Sequence, residues 1–248
     1  MQKTRSIKVT RLAMIAALVF LGILIDSIVT YGLAVKIAVA TIVVVITIAI
    51  LCSFGEAVFA GFVFGVLSML RALIMPSIIQ AMAINNFWLS FANPIVSVLP
   101  RILIGLNVWA AFRVLKGMFG KAKAPFVSKT LPCSLSALVG VVTNTGFVML
   151  AMLVMKYASG SQLALWDFIL TYFSINFLIE LAVSVCIVPF LAAGLVKTKY
   201  FKPTEKKKEH KTANWNGLKI LTVVGLILTI IGMIVFLITV ASGFPILR

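Results

Sequence analysis

Apolar runs of about 20 residues recur along this chain, and each is long enough to cross the roughly 30 Å hydrocarbon core of a bilayer as a helix. They fall near 11–31, 34–52, 56–75, 95–116, 131–156, 167–196 and 218–242. Without water, a backbone must satisfy its own hydrogen bonds, so a series of such runs restricts the fold to an all-α polytopic membrane helix bundle. The composition points the same way: 62% of the 248 residues are hydrophobic, six are acidic, and the mean hydropathy is +1.17. Layers packed around a water-soluble core are excluded.

The 22 Lys and Arg residues give a formal charge of +16, which in a soluble chain would suggest nucleic acid. Here they gather between the apolar runs, where they set orientation and meet the anionic lipid of the bilayer, and no nucleic-acid partner is expected. Lys3, Arg5, Lys8 and Arg11 precede helix one; Arg113, Lys116, Lys121, Lys123 and Lys129 surround the connection after helix four; a third cluster runs from Lys197 to Lys211. With seven helices all three clusters lie on one side, and the positive-inside rule makes that side cytoplasmic. The expectation is a multi-pass protein of the plasma membrane, with its N-terminus in the cytoplasm and Arg248 outside. The basic start resembles a signal-peptide n-region, but the run behind it is long and lacks a small-residue cleavage site, so it reads as a retained first helix.

The outer connections are then about 31–34, 76–94 and 156–166. The second carries Pro76, Gln80, Asn85, Asn86, Trp88, Asn93 and Pro94. It reads as a lid, either a loop packed onto the bundle or a short re-entrant helix whose backbone is satisfied by protein. Residues 197–217 read as a solvated basic linker, with His210 part of its charge run. Cys52, Cys133 and Cys186 lack CxxC spacing and histidine partners, which suits a buried apolar role.

No HExxH, GxSxG or phosphate-binding loop is present, so the chain is not expected to be an enzyme and no cofactor or metal is expected. What stands out is FANPIVSVLPRILIG at 91–105, which places Arg101 inside an apolar span. Ionisable groups there cost about 3 kcal/mol on insertion scales and mark functional sites. At about 1.5 Å per residue, Arg101 lies roughly 9 Å below the outer end of helix four. Asn144 lies near the middle of helix five, and Asn176 and Glu180 lie about 14–20 Å down helix six, on one face by their i, i+4 spacing. Two readings stand side by side: a structural Arg101–Glu180 ion pair supported by interhelical amide bonds, or a polar pocket open to the outside under the 76–94 lid. Small-residue pairs, Ala13 with Ala17 on helix one and Gly61 with Gly65 on helix three, allow close helix approach.

Several segments together resemble the substrate-binding membrane subunit, or S component, of the energy-coupling factor (ECF) type ABC transporters of prokaryotes. They are RLAMIAALVF, FGEAVFAGFVFGVLSMLRA, NPIVSVLPRILIG, GVVTNTGFVML and IELAVSVCIVP, in the expected order over most of the first 195 residues. The resemblance implies a six-helix domain at 1–196 that captures a vitamin or similar micronutrient from outside. It also implies two kinds of partner, a membrane coupling subunit and two cytoplasmic ATPase subunits. In that family the alanine pair on helix one packs against the coupling subunit, a role carried here onto Ala13 and Ala17. Pockets there are built from the outer connections and the outer ends of helices four to six. The linker at 197–217 and the seventh helix, within 218–248, have no counterpart in the six-helix core.

Lys36 and Arg101, with few outward acids, favour an anionic substrate, and pantothenate is the first expected. Trp88 and Trp166 equally suit stacking on the ring of a flavin or a corrin side group. The candidate substrate-binding set is Lys36, Asn85, Asn86, Trp88, Asn93, Arg101, Asn144, Trp166, Asn176 and Glu180. The alternatives are a non-transporting membrane scaffold and an ion-coupled secondary carrier, although no internal repeat relates the halves.

Overall fold

The structure is a computed structural model that describes residues 2–31, 38–75, 93–159, 163–198 and 201, excluding the side chains of 2–6, 149–159 and 163–175. The described residues form six α-helices: α1 (Gln2–Val29), α2 (Val39–Leu51), α3 (Phe54–Ile74), α4 (Pro94–Phe119), α5 (Leu131–Ser159) and α6 (Leu163–Val196). One π-helical turn, Phe126–Thr130, leads into α5, and no strand occurs among the described residues. The expected seventh helix, the rest of the linker and most of the 76–94 connection lie outside the described residues.

Among the described residues five stretches are long and apolar enough to cross a membrane: Ile7–Val29, Phe54–Ile74, Pro94–Phe119, Phe126–Val148 and Asn176–Val196. This is the architecture of a multi-pass membrane protein. The expected span at 34–52 is shorter in the structure, since α2 has 13 residues and so rises about 20 Å against the roughly 30 Å of a hydrocarbon core. Its apolar composition has another cause. Helix α2 packs against all five other helices, and Thr41 to Ile50 are buried except for Val44. A helix enclosed by protein is apolar all round, as one facing lipid is. Around it the neighbours run α1, α3, α4, α5, α6.

Local chemistry fixes the helix ends. Ser53 starts α3 with a capping box, in which Glu56 Oε2 accepts from the Ser53 N–H (2.8 Å) and hydroxyl (2.7 Å); the backbone N–H of the N-cap is thereby satisfied. Asn93 starts α4, its Oδ1 accepting from Ile95 N at 2.9 Å, with Pro94 in the first turn where its missing N–H costs nothing. Two prolines also sit inside helices, and each leaves the carbonyl four residues earlier without its helical donor. Pro189 frees Val185, which accepts from the Ser134 hydroxyl of α5 at 3.0 Å. Pro100 frees Val96, and the donor there belongs to Arg101.

Helices α3 and α4 meet backbone to backbone. A Cβ on Gly61 would collide with the Arg101 carbonyl, one on Gly105 with the Ala57 carbonyl, and one on Gly65 with the Val98 backbone. The GxxxG of helix three therefore serves internal packing. Two further expectations are corrected. Cys52 and Cys133 are buried, but Cys186 is exposed on α6. Phe201, within the stretch read as solvated linker, is 1% exposed and belongs to the apolar core, because a phenylalanine gains more from apolar neighbours than from water.

Candidate functional site

Antiparallel neighbours bring the last turns of α1 and α3 to the same end of the bundle as the first turns of α2 and α4. Two groups of buried polar side chains gather there. In the first, Asp26 of α1 is 4% exposed and acts as a cap for α2. Its carboxylate accepts from Ala40 N (2.8 Å), Thr41 N (2.9 Å) and the Thr41 hydroxyl. The negative charge thus sits at the positive end of the α2 dipole. Arg71 of α3 ties the same corner down, donating from Nη2 to the Thr30 hydroxyl (2.8 Å) and the Asp26 carbonyl (3.3 Å).

The second group holds Arg101, Asn144, Thr145, Asn176 and Glu180, all less than a tenth exposed. Arg101 projects from α4 next to Pro100, donates from Nη1 to the freed Val96 carbonyl at 3.2 Å, and lies 5.6 Å from the centre of the Phe64 ring. Its Nε is buried without a partner. Glu180 receives Asn176 Nδ2 on Oε1 at 3.0 Å and the Thr145 hydroxyl on Oε2 at 3.4 Å.

Arg101 and Glu180 attract one another but are not in ion-pair contact; among the described residues the ion pair is Arg11 Nε to Glu56 Oε1 at 3.1 Å, at the other end of the bundle. The direct Arg101–Glu180 bridge considered from the sequence is therefore not formed. Within this group Arg101 Nε, Asn176 Oδ1 and Asn144 Oδ1 have no partner among the described residues, a condition that Arg71 Nε, Asn107 Oδ1, Trp109 Nε1 and Ser184 Oγ share elsewhere in the bundle. The orientation of the Asn176 amide is dictated by its neighbour, since a carboxylate accepts and so takes the Nδ2 side. Asn144 lies one turn beyond Gly140, whose α-carbon faces Ile46 of α2 and Val108 of α4, so its face of α5 is turned to the bundle centre.

Of the residues singled out in the sequence, the structure brings Asn176 and Glu180 into contact and buries Arg101 and Asn144. Asn93 is buried too, but its oxygen is engaged as the cap of α4. Lys36, Asn85, Asn86 and Trp88 lie outside the described residues, and Trp166 is described only as helical backbone. Ala13 and Ala17 are both exposed on α1. Sequence reasoning missed Asp26 and Arg71, and it preferred Asn144 to its neighbour Thr145. The signal for the first two was present, since each is an ionisable residue inside an apolar run, the criterion that drew attention to Arg101.

Comparison of the chain with models of known protein families, with curated proteins and with solved structures finds no match.

Proposed function

We propose that this chain is the substrate-binding membrane subunit of an energy-coupling factor type transporter, taking up a water-soluble vitamin or similar micronutrient. The observation that carries this reading is the second polar group: an arginine, a glutamate and two asparagines from three helices, buried together with hydrogen-bonding atoms unfilled. A purely structural network gains stability by satisfying its members, and leaving several unsatisfied costs about 1–3 kcal/mol each. A bound solute that supplied the missing partners would recover that cost. In this reading the end of the bundle that carries Asp26, Arg71 and Arg101 faces outside. The exposed Ala13 and Ala17 leave a flat strip of α1 for the coupling subunit, and pantothenate is the first substrate to try.

Co-purification tests the assembly: expressed in its native host, the tagged chain should bring down a coupling subunit and ATPases, and a scaffold should not. Ala13→Trp or Ala17→Trp should leave ligand binding within about twofold and abolish uptake, because a bulky side chain on an exposed strip blocks close helix approach without entering the polar group. Binding and uptake falling together, or uptake unchanged, would refute the partner-interface role.

A further inference from the structure

We infer that the buried polar group takes an amphoteric ligand, with a carboxylate held by Arg101 and a protonated amine held among Glu180, Asn176 and Asn144. The inference rests on the proposed function and narrows its substrate class to ligands that carry an amine, which removes pantothenate, an N-acyl carboxylate, as the preferred substrate. Its starting point is that Arg101 and Glu180 are both buried in the same end of the bundle without touching. Attraction between opposite charges grows steeply where water is excluded, and these two groups, held by neutral partners alone, each lack a counter-charge in contact among the described residues.

The partners each side lacks differ in kind. Arg101 spends Nη1 on the Val96 carbonyl and keeps Nε free, which leaves donors from a planar fork suited to a carboxylate. On the other side stand acceptors. Asn176 presents Oδ1 because its Nδ2 is committed to Glu180, Asn144 adds an unpartnered Oδ1, and Glu180 contributes the negative charge. An ammonium carries three donors and no acceptor, so it matches two amide oxygens and a carboxylate. A simple anion would fill the arginine side and leave the acceptors unmet. A ligand with both groups fills both sides and brings no net charge into the low-dielectric interior.

The test uses the full chain purified in lipid nanodiscs, with thermal-shift and calorimetric titration of three probe sets. One set is β-alanine, 4-aminobutyrate and the L-amino acids. The second is their N-acetyl derivatives, which keep the carboxylate and lose the cation. The third is their methyl esters, which keep the cation and lose the carboxylate. At least one zwitterion is expected to bind saturably, with its N-acetyl derivative and its ester each weaker by about 30-fold or more, the loss for an unpaired buried charge. Glu180→Gln should narrow the preference for the zwitterion over its N-acetyl form, and Arg101→Ala should narrow the preference over the ester; the derivatives tested on the unmodified chain do not depend on how these variants fold. Pantothenate or an N-acetyl derivative binding as tightly as every zwitterion would overturn this inference and leave the proposed function standing. No binding by any probe, together with no small molecule retained in native mass spectrometry, would overturn both.

Discussion

Pro100 and Arg101 work as a pair inside the membrane-spanning part of α4. The proline leaves the Val96 carbonyl without its helical donor, and the arginine beside it supplies one at 3.2 Å. One arm of the guanidinium is thereby fixed, and the face that carries the free Nε is held in place, which would reduce the ordering cost of binding the proposed ligand. Arg101→Ala is expected to weaken binding of an anionic or amphoteric ligand by about 2–5 kcal/mol, and Arg101→Lys to recover only part of it, since a point charge lacks the fork. Because no ion pair joins Arg101 to Glu180, the two alanine variants and their combination should show a stability coupling below about 1 kcal/mol in thermal unfolding. Recovery of wild-type stability in the double variant would reinstate a direct pair. The arginine was legible in the sequence because a charge in an apolar run is conspicuous. Its engagement with Val96 was implicit in the Pro-Arg order, but the missing bond had to be traced four residues back.

At the level of helices, positions were read well and surroundings poorly. The first six apolar runs correspond to α1 through α6, and the ends moved where caps or turns intervened: α3 begins at its Ser53 box, and α6 begins at Leu163. What could not be read was which helix sits at the centre. In a bilayer, lipid and protein interior are equally apolar, so an enclosed helix such as α2 and a peripheral one such as α1 have similar compositions. Glycine position is more informative once the neighbours are known. Gly61→Leu should force α3 and α4 apart and lower stability by about 1–3 kcal/mol or more, whereas Gly117, which has nothing within 4 Å of an added Cβ, should tolerate Ala with a gain of up to about 1 kcal/mol. Thermal unfolding of both variants in one detergent checks the contrast, and equal destabilisation would refute the backbone contact.

For the whole molecule, the described helices make a bundle whose opposite ends differ in chemistry. One end gathers Asp26, Arg71, Arg101 and Glu180 in buried hydrogen bonds. At the other, Arg11 pairs with Glu56, and Arg113 lies over Trp109 at 4.7 Å. The basic connection around Lys121 and Lys123 belongs to the second end and is exposed at both lysines. In the orientation expected from the positive-inside rule it faces the cytoplasm. Single cysteines at these two positions, in a background without Cys52, Cys133 and Cys186, should resist an impermeant reagent in intact cells and react after permeabilisation. Labelling in intact cells would invert the topology.

The interlock of α3 and α4 also sets where the molecule is able to give. Contact between side chains can loosen by a change of rotamer, but Gly61 against the Arg101 carbonyl and Gly105 against the Ala57 carbonyl leave no side chain to turn. The two helices therefore form a stator, and Arg101 is mounted on it. Glu180 is carried by α6, which meets that unit through α2 and α5. Under the proposed function, closure around a solute would be a displacement of α6 toward a stationary arginine, and the stroke would be measured as a change in the gap between the two opposite charges.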